Sequence, residues 1–269
     1  MAIPYSYQEL EHIYAKSIGK GARSIAVTAS KPQEGTSSVV CSLARRAKAV
    51  GFKVLVVDSN LNNPSVTNSI TTMLEGENQQ NLNSINDYWI DDSQTTKPLR
   101  LTDLDGLSDS SNHNVNINVI PAPIKQSTER NPQQSTEQNT EHLRIREQSH
   151  LQALINLWHQ QHDIIIFDTS PLCLINKNNI PPQTIASCCD GALLVVQTGT
   201  TNANELQDAM NILHSQKINL LGTVMNENKT PLLSQELARQ CEKLEQLLPK
   251  LGRMLKSFVS NNPFLQRQF

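Results

Sequence analysis

The sequence predicts an α/β fold, a doubly wound, mostly parallel sheet with helices on both faces, and three stretches carry that expectation. Residues 24–38, SIAVTASKPQEGTSS, read as a buried strand that turns through a phosphate-binding loop into a helix. KVLVVD, ending at Asp58, and DIIIFD, ending at Asp168, read as two more buried strands, each with an acid at its carboxyl end. With 269 residues and 38% hydrophobic content the chain can bury one large core. The motifs thread all of it, so a single domain, 1–269, is expected.

The elements follow in order. Leu10, Ile13 and Tyr14 lie at helical spacing and mark an N-terminal helix or arm within residues 1–22. Ile25, Ala26 and Val27 form the apolar run of the first strand, and the loop follows it. In a working loop of this kind, backbone N–H groups cradle the phosphates, a lysine reaches the β- and γ-phosphate oxygens, and the next Ser or Thr holds Mg²⁺. Gly35 and Ser37 stand in register with that pattern, but Thr36 occupies the lysine's place. A charge-assisted contact of this type contributes roughly 2–3 kcal/mol, so its loss weakens nucleotide binding by roughly 30- to 150-fold unless another cation substitutes. Lys31, five residues upstream, is the nearest one. The expected nucleotide-contacting residues of the loop are Lys31, Glu34, Gly35, Thr36, Ser37 and Ser38.

Val39, Val40, Leu43, Ala44, Ala47 and Val50 then repeat at helical spacing, so the helix starts at the loop and turns its N-terminal N–H groups and dipole toward any bound anion. Gly51 closes it, and the strand ending in Asp58 follows. LINLWHQQHD supplies an amphipathic helix before Ile164–Phe167 and Asp168. An acid at the carboxyl end of a strand beside the loop strand is placed to hold Mg²⁺, so Asp58 and Asp168 are the expected catalytic acids and, with Ser37, the expected Mg²⁺ ligands.

Residues 71–142 are rich in Asn, Gln, Ser and Thr and read as a polar, partly disordered insertion around one strand, 115–121, in VNINVIPAP. Leu233, Leu237, Cys241, Leu244 and Leu248 form a helical stripe that packs on the sheet, and a short basic amphipathic helix beyond Pro249 is the alternative surface element.

Composition excludes several function classes. A net charge of −2 and a pI near 6.4 leave no nucleic-acid footprint, and Arg45, Arg46 and Lys48 on one helix read as a solvated face. Cys41, Cys173, Cys188, Cys189 and Cys241 lack metal-ligand spacing and read as buried small hydrophobes in a reducing compartment. The seven histidines form no tight ligand pair, and no nucleophile elbow is present. Neither an 18-residue apolar span nor a signal peptide is visible, so any work at a membrane is expected to depend on a partner.

VTASKPQEGTSSVVCSLARRAKAVGFKVLVVDSNLNNPSV, DIIIFDTSPL and DGALLVVQTGTTNANELQDAMNILHSQKINLLGTVMNEN together resemble the cytoplasmic domain of the bacterial tyrosine kinases (BY-kinases) of polysaccharide export, within the MinD/ParA group of deviant Walker A P-loop ATPases. The last of these runs resembles that family's closing strand, helix and strand. The resemblance implies ATP or ADP with Mg²⁺ as cofactor, Asp58 as the first Walker A′ acid, Asp168 as the Walker B acid, Ser37 as Mg²⁺ ligand and Asn226 as an adenine contact. It also implies a membrane polysaccharide co-polymerase or chain-length regulator as partner, a possible homo-oligomer, no nucleic acid, and a cytoplasmic location at the inner face of the membrane.

The departures from that pattern are Thr36 for the Walker lysine, Asn60 for the second Walker A′ acid, Asn62 for an arginine and Ser170 for a proline. The family's C-terminal tyrosine cluster is missing from SFVSNNPFLQRQF. Phosphoryl transfer needs cations on the γ-phosphate and carboxylates on the metal, so these losses imply a degenerate kinase regulating exopolysaccharide or capsule biosynthesis and export. The alternatives are an active kinase or ATPase in which Lys31 compensates for Thr36, and a MinD/ParA-type positioning ATPase.

Overall fold

The computed structural model describes residues 8–61, 63–67, 99–101, 117–120, 146–174, 179–227 and 241. The chain divides into two compact units, Met1–Gln197 with Thr201–Asn226 and Thr198–Thr200 with Glu227–Phe269; the sheet and the site belong to the first. Its strands are β1 (Ser24–Ala29), β2 (Val54–Asp58), β3 (Leu99–Leu101), β4 (Ile117–Ile120), β5 (Ile164–Asp168), β6 (Gly191–Gln197) and β7 (Leu220–Asn226). They form one sheet in the order β3-β4-β2-β5-β1-β6-β7. All neighbours are parallel except the antiparallel edge pair β3 and β4. The fold is the doubly wound, mostly parallel sheet that the sequence predicts.

Every residue of β1, β2, β5 and β6 is buried, which is why these strands read as unbroken apolar runs rather than alternating ones. Successive side chains still point to opposite faces. Ile25, Val27, Val54, Val56, Ile164 and Ile166 pack with Leu10 of α1 (Gln8–Lys16) and with Val39, Val40, Leu43, Ala44 and Ala47 of α2 (Thr36–Ala49). Ala26, Leu55, Val57, Ile165 and Phe167 face the other way. They pack with Leu151, Leu154 and Trp158 of α3 (Gln148–Trp158), Ile185 of α4 (Pro182–Cys188), and Ala209 and Leu213 of α5 (Ala203–Ser215). Each fully buried Leu, Ile or Phe stabilises by about 1.5–3 kcal/mol, and two such layers hold the sheet rigid under the site.

Local signals set the helix ends. Gly51, at φ 105°, donates its N–H to Lys48 O at 2.9 Å and stops α2. At the start of α5, Asn202 and Glu205 form a reciprocal capping box.

The described residues refine three expectations and leave others outside them. The strand expected over 115–121 is β4, whereas β3 was not anticipated, since three residues carry no periodicity; the rest of 71–142 lies outside the described residues. So do Asn62 and, apart from Cys241, the C-terminal stripe and the basic helix beyond Pro249. Arg46 does not belong to a solvated face: it pairs with Glu11 and sits 4.4 Å over the Tyr14 ring, because α1 packs against α2. Cys41 and Cys188 are buried as expected, but Cys173 is exposed, because it lies on the turn beyond β5 instead of in a strand. No helix among the described residues is long and apolar enough to cross a membrane.

Sheet order places the site. β1 lies between β5 and β6; the chain leaves β1 for β2 on one side and leaves β5 for β6 on the other. A sheet of this kind opens its crevice at the carboxyl ends of the strands where the direction reverses, here β1 and β5.

Candidate functional site

The loop between β1 and α2 is shaped by its own side chains. Gln33 adopts φ 68° and Gly35 φ 98°, both left-handed. A non-glycine residue there costs about 1–2 kcal/mol, and Glu34 supplies the contacts that hold the turn. Its carboxylate, 1% exposed, folds back onto the loop. Oε2 accepts from Ser30 N at 2.8 Å, Ser30 Oγ at 2.9 Å and Lys31 N at 3.2 Å, while Oε1 accepts from Thr201 Oγ1. Asn226, at the end of β7, donates Nδ2 to Glu34 O at 2.8 Å. Both residues therefore brace the loop.

Gly35 is the N-cap of α2 and carries no side-chain cap, so the first-turn N–H groups of Thr36, Ser37 and Ser38 remain for an anion. A Cβ on Gly35 would overlap the Asn226 amide nitrogen. Gly35→Ala is therefore expected to displace Asn226 from Glu34 and to strain the left-handed backbone, costing about 2 kcal/mol. Urea denaturation of the variant against the parent measures it.

Lys31 leaves the loop sideways. Its Nζ lies 2.9 Å from Glu205 Oε2, the oxygen that also accepts Asn202 N at 2.9 Å in the capping box. The hydrogen bond from Asn202 N and then that from Lys31 hold the Glu205 carboxyl below its ordinary range.

The two strand-terminal acids face each other across neighbouring strands: Asp58 of β2 and Asp168 of β5 are register partners, 0% and 1% exposed. Asp58 is committed to the chain that follows β2. Oδ1 accepts from Asn60 N at 3.1 Å, and Oδ2 from Thr67 N at 2.9 Å and Thr67 Oγ1 at 2.8 Å. Asp168 faces α2: Ser37 Oγ donates to Oδ2 at 2.5 Å. Burial pushes both carboxyls above the ordinary carboxylate range. The Asp58 charge raises Asp168 further, and hydrogen bonds from Ser37 and then Thr36 draw it back.

Asp168 Oδ1 is buried with no hydrogen-bond partner. Leaving such an oxygen unsatisfied costs about 1–3 kcal/mol, and a cation would remove that cost. The donors around it are a hydroxyl and carboxylate oxygens, the hard set that Mg²⁺ prefers. The residues present therefore fit a phosphate-bound Mg²⁺ held by Ser37 and Asp168 next to the uncapped turn of α2. Such a metal supplies charge neutralisation of phosphate oxygens. Asp58, its oxygens already bonded, fits a supporting position more closely than a coordinating one.

The structure gathers Gly35, Thr36, Ser37, Ser38, Asp58 and Asp168 at the carboxyl ends of β1, β2 and β5, with Lys31, Glu34 and Asn226 on or against the loop. Sequence reasoning missed Thr67, Thr201 and Glu205. The Asn202-to-Glu205 spacing was legible as a capping box. No local pattern marked either threonine.

A doubly wound sheet with an uncapped loop-to-helix turn after β1 and an acid at the end of the adjacent strand is the P-loop nucleotide-binding fold of the MinD/ParA kind. No protein-family model matches the chain. Its curated relatives are bacterial tyrosine-protein kinases, among them YwqD of Bacillus subtilis, 24% identical over 221 residues that span 79% of this chain and 76% of YwqD. Solved structures of like fold include the VpsO kinase domain, at 15% identity and TM-score 0.54, covering 81% of this chain and 91% of that one. Another is the septum site-determining protein MinD of Pyrococcus horikoshii complexed with Mg-ADP, at 17% identity and TM-score 0.52, covering 78% and 72%. The chain is thus similar in sequence to bacterial tyrosine-protein kinases, as its motifs led one to expect.

Proposed function

We propose that this protein is a degenerate BY-kinase-like P-loop protein, a nucleotide- or partner-gated regulator of exopolysaccharide or capsule biosynthesis and export. One observation carries the reading: at the start of α2, beside the Ser37–Asp168 contact, the lysine position is the uncharged Thr36. Phosphoryl transfer relies almost wholly on positioning and on cations that stabilise charge, so a site without that lysine binds nucleotide more weakly and loses chemistry. The protein would work by differential affinity of its two states, nucleotide-bound and free, for a membrane polysaccharide co-polymerase. That partner, with the location at the inner membrane face, comes from the resemblance.

The test is incubation of the full chain with γ-labelled ATP and Mg²⁺, alone and with the cytoplasmic segment of a co-polymerase. No phosphotyrosine is expected in either case, and label on tyrosine would overturn the reading. In the alternative with an active site, Lys31 must leave Glu205 for the phosphates, and Lys31→Ala then abolishes the label.

A further inference from the structure

We propose that the crevice discriminates against a third phosphate, taking a nucleoside diphosphate in preference to the triphosphate. This rests on the nucleotide-binding reading above and adds to it which nucleotide state the protein recognises.

The features that would hold a phosphate do not depend on the missing side chain. They are the uncapped first turn of α2 and the left-handed turn at Gly35, braced by Glu34 and Asn226. Backbone N–H groups at a helix N-terminus bind phosphate whatever the side chains are. What is missing acts selectively, because the lysine of such a loop reaches the β- and γ-phosphate oxygens together. Thr36, which opens α2, brings no charge there.

The remaining charges make matters worse for a γ-phosphate. Asp168 Oδ2 is tied to Ser37, at the second position of α2, while Oδ1 is buried without a partner. Asp58 stands in register beside it. Both carboxyls are buried, 0% and 1% exposed, so water screens added negative charge poorly in this corner. The one cation on the loop, Lys31, lies against Glu205. A triphosphate carries one more negative charge than a diphosphate, and the described residues of the loop and of the strand ends beside it add no further cation. In a partly buried crevice that difference is worth about tenfold or more in affinity. Mg²⁺ bridging the phosphates would offset part of it.

The experiment is isothermal titration of the full chain with ADP and with ATP, each in EDTA and in excess Mg²⁺. In EDTA, ADP is expected to bind about tenfold or more tightly than ATP, and Mg²⁺ to narrow the gap. Thr36→Lys should bring ATP level with ADP, or ahead of it, in EDTA. Should that variant fail to fold, Thr36→Arg tests the same point, because a guanidinium at position 36 supplies the missing charge and must narrow the gap in EDTA. ATP binding as tightly as ADP to the parent in EDTA overturns the selectivity and leaves the nucleotide-binding reading standing, as does a gap in EDTA unmoved by Thr36→Arg. Failure of both nucleotides to bind, with or without Mg²⁺, overturns the two together.

Discussion

Thr36→Lys is expected to tighten Mg-ATP binding by roughly 30- to 150-fold, the value of one charge-assisted contact of roughly 2–3 kcal/mol. The scaffold for the gain is in place. Position 36 opens α2, the loop before it is braced by Glu34 and Asn226, and Ser37 stands in register for the metal. The new ammonium would also enter a corner that holds two buried carboxyls. It should therefore lower the Asp168 pKa as well as bind phosphate. Isothermal titration gives the affinity, and the pH dependence of unfolding gives the second readout. An unchanged Mg-ATP affinity in a folded variant would mean that the loop has lost more than its lysine.

Asp168→Asn is expected to stabilise the nucleotide-free protein by about 3 kcal/mol at pH 8, the scale of relieving a buried like-charge pair. Asp58 and Asp168 both have folded pKa values above their ordinary value of 3.8, by burial and, for Asp168, by the Asp58 charge. The folded state thus holds these protons more tightly than the unfolded one. Stability is complete below the ordinary carboxylate range and falls as pH rises through the folded pKa values. In the Asn variant that decline should flatten. Mg²⁺ should act in the opposite sense, stabilising the parent at pH 8 by binding only the folded site and leaving the variant unmoved. Calorimetric melting between pH 5 and 8, with and without Mg²⁺, measures both effects. A variant as pH-dependent as the parent would remove the buried pair from the account.

The site was legible in the sequence wherever its chemistry is local. The loop pattern at Gly35–Ser37, the helix that begins at Thr36, and the acids that end two apolar runs are each read within a few residues. The roles of Glu34 and Asn226 were not readable in that way. Glu34 belongs to the loop by position, but its carboxylate bonds Ser30, Lys31 and the distant Thr201. Asn226 reaches the same loop from the end of β7. Lys31 read as the nearest spare cation, and the fold pairs it with Glu205, 174 residues away.

Sequence alone therefore determined the fold class, the place of the crevice and the missing positive charge, because helix and strand periods and turn residues act over short stretches of chain. Which groups meet in that crevice was decided only by tertiary structure. The order and register of the parallel strands put Asp58 opposite Asp168 and carried β7 to the loop, and no local pattern encodes a register between strands that are 110 residues apart. Buried polar groups then took the partners that this arrangement offered, since leaving them unpaired costs more than almost any single contact returns.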